Sequence, residues 1–212
     1  MKLFVTATNT GIGKTYTTLR CMEIVKEFGL DPAAIKPIET GAAQVCPDGS
    51  KLLRKSQDLN QNLNDITIDD VVPYRFELPA APYVAKKDAP IDIDTILRKI
   101  ENMEKRCDIL FIEGAGGLMV PIEKDFFMID LIKASGAKAL LVTPSRLGCI
   151  NDTLLSQEAL ERRGIEYEWY VNLYEDRDSF FEVTYPFYKE FFGDVPLDLE
   201  SILQRYTHID IA

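Results

Sequence analysis

The chain has 212 residues, 46% of them hydrophobic and 27% charged, with a formal net charge of −10. That balance reads as an ordinary soluble globular chain with room for a sizeable core, and its acidity argues against a general nucleic-acid or anionic-membrane surface, because phosphate backbones call for clustered lysine and arginine. A single histidine, His208, nearly excludes histidine triads and multi-histidine metal sites, while Cys21, Cys46, Cys107 and Cys149 are widely spaced without a C-x-x-C, the usage expected of reduced thiols in the cytoplasm.

In chain order, short apolar runs bounded by Gly and Pro alternate with longer helical patterns. This predicts an α/β fold in a single domain, with a mostly parallel sheet flanked by helices on both faces. The strand candidates are Lys2–Ala7, Ala33–Lys36, Ile109–Glu113, Ala137–Thr143 and Glu166–Asn172, whose near-continuous hydrophobicity suits strands covered on both sides. Helices are expected from Lys14, from about Ser50, from Asp94, from Phe126, and near Ile150 and Asp178. Asp94 is the expected N-cap of a helix whose apolar stripe is Ile93, Leu97, Ile100 and Met103. The segment Ile66–Pro90, rich in Asp, Pro and Ala without clear periodicity, reads as an excursion where substrate loops are found. Leu3-Phe4-Val5 passes straight into polar residues, without a signal-peptide core, and no uncharged apolar run approaches the ~18 residues that cross a bilayer.

The first strand runs into "TNTGIGKT", which ends like a phosphate-binding loop but carries Thr8 where the usual G-x-x-x-x-G-K-[ST] pattern has its first glycine. Backbone N–H groups of Thr10, Gly11, Ile12 and Gly13 can still form a cradle at a helix N-terminus, with Lys14 as the cation and Thr15 as the hydroxyl for Mg²⁺; Tyr16 follows on the same edge. A Mg-nucleotide also calls for acidic groups. Glu113, at the tip of a parallel strand before Gly114, Ala115, Gly116 and Gly117, stands on the face where open sheets bind ligands. Asp58 is, on the residues alone, one helix acid among many. Lys36 and Thr40, in "IKPIETG", follow the second strand on the same face, where a lysine beside a phosphate loop can neutralise charge developing in phosphoryl transfer. In "SRLGCIND", a glycine turn leads into another helix N-terminus, a second place for an anion or simply a helix cap.

"TNTGIGKT", "IKPIETG", "EGAGGLMVPI" and "RLGCIN", in that order, resemble the dethiobiotin synthetases of biotin biosynthesis over roughly Met1–Asn172. The loop of that family is one residue longer than the usual pattern, and its first glycine falls on Ala7 here. The resemblance implies a Mg²⁺-dependent, nucleoside-triphosphate-driven ligase. Its substrates would be 7,8-diaminononanoate and CO₂ or bicarbonate, joined through a carbamate and a carbamoyl phosphate. Matching positions imply Lys36 and Lys14 as catalytic lysines, and Thr15, Asp58 and Glu113 as metal ligands. Nucleotide contacts would come from Thr10 to Tyr16, Gly116, Asn172 and Pro196. The substrate would meet Thr10, Lys14, Lys36, Thr40, Pro79, Pro82 and Gly114 to Gly116. Leu147, Gly148, Cys149, Ile150 and Asn151 would act across a homodimer interface. In the family an acid often follows the base-reading asparagine. Leu173 stands there, which with a short C-terminal part predicts weak discrimination, with ATP and GTP both accepted. No nucleic-acid or membrane partner is expected.

Two other readings share the loop. One is a different P-loop amide or carboxylate synthetase, for which Lys36 with Thr40 is a poorer match than for a carbamate. The other is a nucleotide switch of the ParA/MinD type, whose signature lysine early in the loop is absent from Ala7–Ile12.

Overall fold

The computed structural model describes residues 1–42 and 45–208. In chain order the elements are β1 (Lys2–Ala7), α1 (Lys14–Glu27), β2 (Pro32–Ile35), β3 (Ile38–Thr40), α2 (Pro47–Leu59), α3 (Ile68–Val71), β4 (Tyr74–Phe76), α4 (Pro82–Ala85) and α5 (Ile93–Glu104). There follow β5 (Ile109–Gly117), β6 (Pro121–Glu123), β7 (Phe126–Phe127), α6 (Met128–Ser135), β8 (Lys138–Pro144), α7 (Cys149–Arg162), β9 (Tyr167–Asn172), α8 (Arg177–Ser179), α9 (Tyr185–Phe192) and α10 (Leu199–Thr207). A 3₁₀ turn at Gln61–Leu63 follows α2, and a π-helical turn at Phe180–Thr184 joins α8 to α9.

Five strands form a parallel sheet in the order β2-β5-β1-β8-β9. Leu3, Phe4 and Val5 of β1, Ile109 to Ile112 of β5 and Ala139 to Val142 of β8 are all buried, as a sheet covered on both faces requires. Each fully buried Ile, Leu, Val or Phe contributes about 1.5–3 kcal/mol relative to exposure, so this continuous centre fixes strand order and register. A second, smaller cluster gathers Cys149, Val171, Phe180, Tyr188 and Val195 beneath α7 and α9. There the Trp169 and Phe192 rings lie 4.7 Å apart, and the Thr153 and Tyr188 hydroxyls are 3.0 Å apart.

The five expected strands are the five of the main sheet. The short pairs β3/β4 (parallel) and β6/β7 (antiparallel) were not anticipated. The helix expected from Ser50 starts at Pro47, a turn earlier. On α5 the cap is Asp92, whose Oδ1 accepts from the Asp94 N–H at 3.0 Å, so Asp94 lies two residues inside the cap, within the first turn. Ile96, omitted from the expected stripe, is fully buried on that helix with Ile100 and Met103.

Candidate active site

The C-terminal ends of β1, β2 and β5 converge on a cavity of about 580 Å³. β1 stops at Ala7, and the chain turns through Thr8–Gly13 before α1 opens at Lys14. Gly13 takes φ 91°, and a Cβ there would lie 2.3 Å from Asn172 Nδ2, so the loop closes against β9 only with glycine at this position. Two side chains from the end of β9 hold successive loop carbonyls. Asn172 Nδ2 donates to Ile12 O at 3.0 Å, and Tyr174 Oη donates to Gly11 O at 2.8 Å. With these two carbonyls held on the β9 side, the N–H groups of Gly11, Ile12 and Gly13 are left for the concavity, the arrangement that binds phosphate at a helix N-terminus, whereas the expected Thr10 N–H donates to Asn9 Oδ1 at 2.7 Å and that of Thr8 to Val142 O at 3.2 Å.

Lys14 is 8% exposed, and its Nζ donates to Asn9 O at 3.2 Å. Burial, aided by the neighbouring Lys36, brings its pKa down to about 8, with Glu113 and Asp48 opposing. Lys36 follows β2, its backbone N–H donating to Val71 O at 2.8 Å. Its Nζ reaches Glu113 Oε1 at 2.5 Å and Asp48 Oδ2 at 3.5 Å. Burial alone would lower the pKa of Lys36, but Glu113 and Asp48 outweigh it and raise it above its ordinary value. Thr15 Oγ1 donates to the same Glu113 Oε1 at 2.9 Å. Two lysines thus face three carboxylates, Glu39, Asp48 and Glu113, around the cavity.

Glu113 is fully buried, and its second oxygen, Oε2, has no hydrogen-bond partner among the described residues. Glu113, with Oε1 meeting the Thr15 hydroxyl and Lys36 and Oε2 unpartnered, together with the Asp48 carboxylate on the other side of Lys36, is a donor set that fits a hard divalent cation also carrying phosphate oxygens. Among the described residues no three His, Cys, Asp or Glu side chains gather as a ready metal cluster.

Thr10, Gly11, Gly13, Lys14, Thr15, Tyr16, Lys36, Thr40, Pro79, Pro82, Glu113, Ala115 and Gly116 all line this cavity. Ile12 is buried behind the loop. Gly114 is packed beneath it, where a Cβ would lie 2.9 Å from the Phe4 ring. Asp58 is not at the site. It is exposed near the C-terminal end of α2, ten residues and about 15 Å along the axis from Asp48. The acid brought to Lys36 is Asp48, at the opposite end of that helix. Glu39, Ala80, Ala81 and Val120 also line the cavity and were missed by sequence reasoning. For Asp48 the usable signal was the P-D-G of Pro47–Gly49 as a helix start; Glu39 gave none, because β3 is only three residues long.

The expected base-reading residues lie apart from the cavity. Asn172 is 4% exposed and holds the loop, and Pro196 O accepts from Val171 N–H at 3.0 Å alongside β9. Leu173 packs on the second cluster. The turn Leu147–Asn151 is also outside this cavity. Leu147 is 93% exposed, and Cys149 is buried against Val171 and Tyr188, so its thiol is not presented to a ligand.

A phosphate loop after the central strand of a parallel sheet, facing two lysines and a buried acid, defines a P-loop nucleotide-binding protein. A family model described as AAA domain matches residues 1–171. Solved structures of similar fold include the MinD cell division protein of Aquifex aeolicus (TM-score 0.51, 19% identity, 96% of this chain and 77% of that one). A ParA family ATPase from Chlorobium tepidum is another (TM-score 0.53, 12% identity, 97% and 89%). At these identities the likeness is one of fold alone. In sequence, the chain is 52% identical over 190 residues to the ATP-dependent dethiobiotin synthetase BioD of Sulfurovum sp. strain NBC37-1, covering 90% of each chain. It is 43% identical to that of Wolinella succinogenes, covering 89% of this chain and 88% of that one. The chain belongs to the dethiobiotin synthetase family.

Proposed function

We propose that the protein is a dethiobiotin synthetase, an ATP-dependent ligase that closes the ureido ring of dethiobiotin on 7,8-diaminononanoate with CO₂. The observation that carries this reading is Lys36, buried between Glu113 and Asp48 at the mouth of a phosphate loop. One amine adds to CO₂ and loses a proton to give a carbamate. A carbamate oxygen attacks the γ-phosphorus, the bond to the β-phosphate oxygen breaks, and ADP leaves. The second amine attacks the carbonyl carbon of the resulting carbamoyl phosphate, expelling phosphate and closing the ring. Positioning and charge neutralisation carry such a phosphoryl transfer, so no histidine is needed. Lys14 and Lys36 would meet the negative charge on the γ-phosphate and the carbamate, and Thr40 would touch the carbamate or amine. Pro79 and Pro82 supply the apolar wall for the carbon chain.

Thr15, Asp48 and Glu113 are the residues that would hold Mg²⁺, which offsets phosphate charge when bound with the nucleotide. Thr10, Gly11, Gly13 and Gly116 would approach the phosphates, and Asn172 with the Pro196 segment would flank the base. The chain reads as one synthetase domain working as a homodimer in the cytoplasm. In support, the exposed Leu147 turn has no place in its own chain's cavity, so its α7 N-terminus is available to the substrate carboxylate of a second copy. The four described cysteines are free thiols. No helix among the described residues is long and apolar enough to cross a membrane. Phosphate release measured with and without 7,8-diaminononanoate tests the assignment: release that depends on the diamine supports it, and equal release in both conditions rejects it.

A further inference from the structure

The helix α2 has no cap of its own. Cys46 precedes Pro47 and makes no side-chain hydrogen bond to the first turn. The first-turn N–H groups are met from another segment. Glu39 of β3, 3% exposed, accepts from the Asp48 N–H through Oε1 at 3.0 Å and from the Gly49 N–H through Oε2 at 2.9 Å. The seat leaves no spare room: a Cβ on Gly49 would lie 2.9 Å from Glu39 Oε2 and 2.1 Å from Val72 Cγ2.

Burying an ionised carboxylate is costly unless it is paired and hydrogen-bonded. Two charge-assisted N–H bonds and the positive end of a helix of 13 residues offset that cost here. Both oxygens are engaged, so the grip fixes the direction of the helix start as well as its position. Asp48 stands on that first turn, and it is the α2 carboxylate that reaches Lys36. A helix end without such partners frays within its first turn, and Asp48 would swing with it.

We propose that Glu39 is a positioning residue that clamps the N-terminus of α2 and so presents the Asp48 carboxylate to Lys36 and to the divalent ion of the nucleotide complex. This rests on the reading of Asp48 as an ion ligand given above. The clamp itself is a matter of the Glu39 bonds alone.

The test uses Mn²⁺ as the probe, titrated by electron paramagnetic resonance into the full-length protein with ATP and no diamine. Partners that orient metal ligands typically change metal affinity 10- to 100-fold when removed. Glu39→Ala is expected to weaken Mn²⁺ binding by about that factor while ATP binding in EDTA is unchanged. Glu39→Gln is isosteric and retains one acceptor but turns an NH₂ toward the second N–H, and is expected to fall between. Leu52→Ala, a core change one turn further along the same helix that leaves the Glu39 bonds in place, is expected to lower Tm and keep wild-type Mn²⁺ affinity. Added to Asp48→Asn, Glu39→Gln is expected to cost little more, because the clamp acts through Asp48.

Wild-type Mn²⁺ affinity in both Glu39 variants would overturn the proposal. So would an equal affinity loss in Leu52→Ala, or full additivity with Asp48→Asn. The titration contains no diamine, so a wild-type protein that fails to turn over would count against the synthetase reading and leave the clamp result standing.

Discussion

Lys36 Nζ lies 2.5 Å from Glu113 Oε1, in a pair whose side chains are 6% and 0% exposed. Breaking a buried ion pair from one side strands the other charge, at a cost of roughly 3–5 kcal/mol, whereas the intact pair is weak evidence for stability. Such a pair at the mouth of a phosphate loop is therefore better explained by charge placement for reaction than by folding. Lys36→Met is expected to cut kcat by about 10²–10³-fold, the usual loss when one preorganised donor is removed. ATP binding should persist. Near-normal kcat would remove Lys36 from the mechanism.

The two ends of α2 make a paired prediction. Asp48→Asn, at the end facing Lys36, should raise the Mg²⁺ concentration needed for half-maximal turnover by an order of magnitude or more. Asp58→Asn, exposed at the other end, should leave it unchanged. The check is a Mg²⁺ titration of steady-state rate, and a larger effect at Asp58 would contradict the placement.

Lys14 sets a pH dependence. Its pKa is lowered to about 8 by burial and by Lys36, so the free protein loses this ammonium as pH rises through 8, while a bound triphosphate favours the charged form. ATP binding should take up a proton between pH 8 and the ordinary lysine range, and affinity should fall across that window. Below pH 7 the lysine is already charged in both states, and uptake at this group should vanish. Calorimetry in buffers of different ionisation enthalpy reads the proton count. A count of zero at pH 9 would contradict the assigned shift.

Gly13→Ala combines positive φ with a Cβ 2.3 Å from Asn172 Nδ2. Strain of this kind costs of order 1–3 kcal/mol, and the loop must shift to relieve it. ATP affinity should collapse with a modest loss of Tm. Adding Asn172→Ala should recover part of the stability but not the affinity, because the hold on Ile12 O is lost as well. Full recovery of binding in the double variant would show that Asn172 does not order the loop.

Weak discrimination between nucleotide bases is expected. Leu173 packs against the Cys149–Val171 cluster and offers no acceptor to a base. Sites without a dedicated hydrogen bond discriminate by about 10–200-fold at most, against 10⁴–10⁵ for sites that have one. GTP should therefore support turnover within that smaller range of ATP. A preference for ATP above ~10⁴ in competition kinetics would contradict it.

The centre of the main sheet was legible because β1, β5 and β8 are buried on both faces, so that "LFV", "ILFI" and "ALLV" announce themselves as runs. The short strands β3, β4, β6 and β7 carry two or three residues each and have no period to read. Within the site, the loop and Glu113 were legible from local motif and strand-tip position. Asp58 was misplaced because the helix was expected from about Ser50, which left Asp48 in the loop before it; the start at Pro47 puts Asp48 on the first turn, within reach of Lys36, and Asp58 at the far end. Glu39 was hidden for a related reason. Its role depends on a bond to residues nine and ten positions on, across a turn.

In the proposed reaction, carbon from CO₂ is built into a ring at the expense of one phosphoryl group. The most direct test supplies ¹³C-bicarbonate, 7,8-diaminononanoate, Mg²⁺ and ATP, and follows the product by mass spectrometry alongside phosphate release. The expected product is dethiobiotin one mass unit heavier than with ordinary bicarbonate, formed in equal number with phosphate and absent when any one component is omitted. Phosphate released without labelled ring product, or released equally without the diamine, would contradict it.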